Sequence, residues 1–93
     1  MLPERRDQVR RARRLLTEPL AAAGIRTLAS DANFVLLELG ADDLQVSDTL
    51  ARGGVLVRAG SEFGLSGYVR VTTGEDELMV RVGAQLAAAV TSM

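Results

Sequence analysis

Gly64-Leu65-Ser66-Gly67-Tyr68-Val69-Arg70-Val71-Thr72-Thr73-Gly74 reads as a strand fenced by glycines. Tyr68, Arg70 and Thr72 face one way and Val69, Val71 and Thr73 the other, the period-2 pattern of a half-buried strand. Arg70 stands in mid-strand, where a core face would carry an apolar or neutral residue. Upstream, residues 59 to 67 form a glycine-punctuated loop. Val55 to Arg58, set off by Gly53-Gly54, reads as the preceding strand, with Arg58 at its end. Twelve residues and one loop separate the two arginines, so a hairpin-like return brings their guanidiniums close together. Two like charges side by side are unfavourable unless an anion lies between them, and the planar fork of arginine suits a carboxylate or a phosphate. The alternative is that each arginine pairs with a local carboxylate such as Glu62 or Glu38, or faces water at an edge.

Working outward, Phe34-Val35-Leu36-Leu37-Glu38-Leu39 is dense enough in apolar residues to predict a strand buried on both faces. Turn chemistry at Ser30-Asp31-Ala32-Asn33 leads into it, and Ile25 to Leu28 reads as a short extended segment before that. Asp42-Asp43 place acids at the start of a helix running to about Arg52, favourable for its dipole. After the Arg70 strand, Thr73 and Asp76 predict a capping pair for a last helix. Its Leu78, Val82, Leu86 and Val90 recur at i+4 spacing. At the other end, Val9, Ala12 and Leu16 give the arginine-rich start an amphipathic helical pattern that stops at Gly24. Pro19 falls inside that pattern and predicts a kink or break near Glu18. The expected fold is α+β: a small mixed sheet with helices packed on one side, in the order helix-strand-strand-helix-strand-strand-helix, as one domain over residues 1–93.

The composition narrows the chemistry. The chain has 93 residues, 47% of them apolar, with no cysteine and no histidine, and all 11 basic residues are arginine. Disulfides, thiolate chemistry, most zinc sites, a histidine general base and a lysine Schiff base are all excluded. No metal site is expected, and neither a signal-peptide hydrophobic region nor an uncharged run near the ~18 residues of a membrane span is present. Residues 1 to 14 carry six arginines against Glu4 and Asp7, a net of +4, and the remainder carries five arginines against ten acids, a net of −5. The aromatic residues Phe34, Phe63 and Tyr68 are not interleaved with the arginine cluster, so stacking support for nucleic acid is absent. No nucleic-acid partner is therefore expected.

Ser30-Asp31-Ala32-Asn33-Phe34-Val35-Leu36, Gly54-Val55-Leu56-Val57-Arg58 and Gly64 through Gly74, in this order and spacing, resemble the C-terminal small domain of histidinol-phosphate aminotransferases. These belong to the class I/II, fold-type I enzymes that use pyridoxal phosphate. The resemblance covers most of the chain. It implies that Arg70 holds the substrate's carboxylate or phosphate, that Arg58 is its companion, and that Asn33 lies near the substrate entrance. It also implies an anionic small-molecule substrate, a larger catalytic domain or partner chain carrying the cofactor lysine, a homodimer in the complete enzyme, and a cytoplasmic location. With no lysine of its own, this chain is expected to bind no cofactor covalently and to contribute no catalytic residue. It would serve as a fragment or split subunit, moving amino groups between histidinol phosphate or an aromatic amino acid and 2-oxoglutarate. Where such enzymes usually read Gly-Thr-x-Glu-Glu, the chain has Gly74-Glu75-Asp76-Glu77, one residue tighter, which bears on the start of the last helix. The alternative is a non-catalytic small-molecule-binding or regulatory domain that keeps the fold.

Overall fold

In the computed structural model, which describes residues 3–31 and 33–91, the chain runs α1 (Pro3–Ala22), β1 (Arg26–Ser30), β2 (Phe34–Glu38), α2 (Asp43–Arg52), β3 (Arg58–Ala59), a 3₁₀ turn (Gly60–Phe63), β4 (Tyr68–Thr72) and α3 (Asp76–Thr91). The α+β class and the order of elements follow the sequence pattern. The strands form one sheet in the order β1-β2-β4-β3, with every neighbouring pair antiparallel. β2 and β3 run in the same direction, joined through α2, but β4 lies between them. No parallel pair is adjacent, so the sheet is antiparallel throughout rather than mixed.

Alternation along β2 and β4 fixes where the core sits. Val35 and Leu37 lie opposite Val71 and Val69, all four buried and turned toward the helices. Leu16 and Leu20 of α1, Val46 and Leu50 of α2, and Met79, Val82 and Leu86 of α3 cover them. Phe34, Leu36, Glu38, Tyr68 and Arg70 are only half-buried, on the face away from the helices. β2 is therefore buried on one face, not both, because all three helices pack on the same side.

Local rules yielded to packing in several places. α1 continues unbroken through Pro19. Gly83 of α3 lies so close that a Cβ there would be 3.3 Å from both the Leu16 carbonyl oxygen and Pro19 Cγ. That close helix contact supports the turn in which Pro19 provides no N–H. The expected strand from Val55 shrinks to Arg58–Ala59. After the helix stops at Gly53, Val55 N–H closes back on the Leu50 carbonyl at 2.9 Å, and Val55 is spent on the core instead of the sheet. In α3 the buried stripe is Met79, Val82, Leu86 and Ala89, with Leu78 exposed. The Thr73–Asp76 cap does not form: Thr73 Oγ1 is buried without a hydrogen-bond partner, while Asp76 pairs with Arg11. In the predicted turn before β2, Asp31 Oδ1 accepts the N–H groups of Asn33 at 2.7 Å and Phe34 at 3.0 Å; Ala32 lies outside the described residues.

Candidate anion-binding site on the open sheet face

Arg58 and Arg70 are directly opposite each other in the β3–β4 pair. Opposed residues of an antiparallel pair put their side chains on the same face with Cβ atoms about 5 Å apart, so the structure brings together the two arginines that the sequence singles out. Their surroundings differ. Arg58 Nε lies 3.5 Å from Glu62 Oε2, both side chains more than half exposed, at 56% and 57%. Arg70 has no carboxylate within ion-pair distance among the described residues. Its guanidinium carbon instead sits 5.6 Å from the centroid of the Phe34 ring and 5.8 Å from that of Phe63. A guanidinium within about 6 Å of an aromatic face is attracted by the ring quadrupole, and two such rings restrict its orientation. Glu38, the other candidate partner, pairs with Arg26 across the β1–β2 ladder at 3.2 Å.

The loop that delivers Phe63 and Glu62 is pinned from beneath. Asp42 caps α2, accepting from the N–H groups of Leu44 and Gln45. Asp43, the next residue, is 1% exposed and points into the loop. Its carboxylate accepts the Ser61 N–H at 2.8 Å, the Ser61 hydroxyl at 2.9 Å and the Gly67 N–H at 2.9 Å. Burial pushes this carboxyl upward, but the hydrogen bonds from Gly67 and Ser61 together outweigh it and hold the group below its ordinary value. Gly60, at the start of the turn, is close-packed: a Cβ there would lie 2.0 Å from the Leu65 carbonyl oxygen. Sequence reading missed both Asp43 and Phe63. Their signals were a second acid where one suffices to cap a helix, and an aromatic ring in a loop made mostly of small and polar residues.

Asn33 is placed differently. It is exposed, its N–H is taken by Asp31, and its carbonyl accepts the Thr73 N–H at 2.9 Å. It precedes by three residues Leu36, the residue opposite Arg70, which puts it roughly 10 Å along the strand from the arginine pair. The structure joins Arg58 and Arg70 but leaves Asn33 at the end of the ladder.

Elsewhere, the arginine-rich helix α1 uses some of its charge internally. Arg11 pairs with Asp76, and Arg13 donates to the Ser30 hydroxyl at 3.0 Å. Among the described residues no group of three or more His, Cys, Asp or Glu could hold a metal ion, and no helix is long and apolar enough to cross a membrane.

Comparison with known proteins agrees with the fold. The family described as Aminotransferase class I and II matches residues 1–86. The histidinol-phosphate aminotransferase of Mycobacterium ulcerans is 38% identical over 79 residues, 82% of this chain and 20% of that protein. The aromatic amino acid aminotransferase of Nocardia farcinica is 42% identical over 86 residues, 89% of this chain and 23% of that one. Among solved structures, the histidinol-phosphate aminotransferase from Clostridium acetobutylicum superposes with a TM-score of 0.79 over 92% of this chain and 27% of its own, at 23% identity, a likeness of fold. The chain thus spans about a quarter or less of the length of either of these relatives.

Proposed function

This chain belongs to the class I and II aminotransferase family, and from that premise we propose that it is the C-terminal small domain of a pyridoxal-phosphate-dependent enzyme, the part that binds the substrate's anionic group. Arg70 grips the carboxylate or phosphate, Arg58 assists, and Asn33 borders the approach. The enzyme would be of the histidinol-phosphate type, moving an amino group between histidinol phosphate or an aromatic amino acid and 2-oxoglutarate, as a cytoplasmic homodimer. One observation carries this reading: two arginines in direct register on a sheet face that the helices leave open.

The cofactor does not fit this chain. A group held through an amine requires a lysine, and the 93 residues contain none. Cofactor chemistry therefore falls to a larger domain or partner chain. The residues present bind and orient: energy from the remote anion is used to hold the amino group at the reacting centre.

The decisive experiment is Arg70→Ala in the complete enzyme that carries this chain. Losing a charge-assisted, bidentate contact worth roughly 1.5–3 kcal/mol is expected to lower kcat/KM by about 10- to 100-fold. Unchanged kcat and KM would refute the role. The free-standing alternative separates cleanly, since a split enzyme predicts that the chain co-purifies with a lysine-bearing partner showing the cofactor's visible absorbance.

A further inference from the structure

From the same pair of arginines, and resting on the reading just given, we infer that Glu62 sets the charge of the anion the site prefers: a singly charged carboxylate on an apolar or aromatic body over a doubly charged phosphate. Arg58, Glu62 and Arg70 together carry a net charge of +1. Glu62 has an exposed side chain, but the backbone that carries it is held in place. It sits in the Gly60–Phe63 turn, beside Ser61, whose N–H and hydroxyl are both fixed on the buried Asp43. From there its carboxylate engages Arg58 at 3.5 Å. Arg58 is partly matched by this contact, and Arg70 is left as the principal cation facing the ligand. A single carboxylate balances that charge. A phosphate dianion brings one negative charge more and places it beside Glu62, where like charges repel. The two rings flanking Arg70, Phe34 and Phe63, with Leu36 opposite Arg70 in the ladder, form the apolar border that a carboxylate on a hydrophobic body would contact.

The test uses the 93-residue chain with labelled arginine side chains, reading the Arg70 Nε–Hε signal by NMR. The probes are 3-phenylpropionate and inorganic phosphate at a pH where phosphate is doubly charged. Wild type is expected to bind phenylpropionate more tightly than phosphate. Glu62→Gln keeps the shape of the side chain and removes its charge. It should improve phosphate binding about fivefold relative to phenylpropionate, the effect of one unit charge at roughly 4 Å in water. A wild-type preference for phosphate, or an unchanged ratio in Glu62→Gln, overturns the inference and leaves the anion site standing. If neither probe moves the Arg70 signal in either protein, the anion site itself is refuted, and this inference with it.

Discussion

Replacing Asp43 by Asn tests whether the buried carboxylate, and not the helix dipole, explains the second acid of the Asp42-Asp43 pair. In the native site Oδ1 accepts both the Ser61 hydroxyl and the Gly67 N–H, while Oδ2 accepts the Ser61 N–H. Asn can keep its oxygen where Oδ1 stood, but its NH2 group then meets the Ser61 N–H, donor against donor. An orphaned buried donor costs about 1–3 kcal/mol, and two bonds that fall from charged to neutral lose about 1 kcal/mol each. The amide avoids the burial penalty of a carboxylate, which returns part of this. The net loss is about 2–3 kcal/mol, against a total stability of roughly 5–14 kcal/mol for a chain of this length. The variant therefore folds, with Tm lowered by about 10–20 °C. Urea unfolding followed by circular dichroism measures it, and a loss below about 0.5 kcal/mol would refute the reasoning.

The pH dependence supplies an independent check. Because the folded carboxyl lies below its ordinary value, the unfolded chain takes up the proton first. The stabilisation is complete above the unfolded value of about 3.9 and is lost as pH falls through the folded one. The gap between wild type and Asp43→Asn should therefore be at full width at neutral pH and begin to narrow below about pH 4. A gap that stays constant down to about pH 3 would mean that Asp43 stabilises by shape alone.

Two further substitutions probe the same loop. Gly60→Ala would drive a Cβ to 2.0 Å from the Leu65 carbonyl oxygen and 2.7 Å from that of Tyr68. The backbone must shift, at about 2–4 kcal/mol, so a Tm within about 2 °C of wild type would be the contrary result. Phe63→Leu keeps apolar bulk and removes one of the two rings at Arg70. With a cation–π contact worth about 0.5–1 kcal/mol at an exposed site, anion affinity at Arg70 should weaken about two- to fivefold. Calorimetric titration with phenylpropionate reads the effect, with the melting temperature nearly unchanged; equal affinities would show that the ring does not orient the guanidinium.

What the sequence revealed and what it concealed follow one physical division. The strand around Arg70, its alternation and its pairing with Arg58 were legible because one short loop joins the two strands, and local chemistry dictates such a return. Asp43 and its partners Ser61 and Gly67 are 18 and 24 residues apart, and an acid in a helix's first turn already has a local explanation. Nothing in the spacing betrays its burial. The α3 stripe failed for a geometric reason. A strict i+4 repeat advances about 40° past a full turn at each step, so Leu78 and Val90 cannot share one narrow face. The core takes Met79, Val82, Leu86 and Ala89, alternating three and four. Pro19 obeyed the local rule in losing a hydrogen bond, but Gly83 brought α3 close enough to keep the helix whole.

The residues at the site form a chain of dependence rather than a list. α2 begins at Asp43, Asp43 holds both Ser61 and Gly67, and between those two anchors the loop carries Glu62 to Arg58 and Phe63 to Arg70. Strand pairing alone fixes only the positions of the two arginines along the sheet. Their charge balance and the orientation of Arg70 come from the loop, and the loop's place comes from a carboxylate on the helical side of the sheet. A site prepared in this way loses less side-chain freedom when the anion arrives, and this is how orienting residues contribute to a reaction they do not touch. Asp43→Asn should therefore weaken anion binding as well as stability, even under conditions in which the variant is fully folded. If affinity at Arg70 survived intact in a folded Asp43→Asn chain, the two arginines would be held by the ladder alone, and the loop would be only their cover.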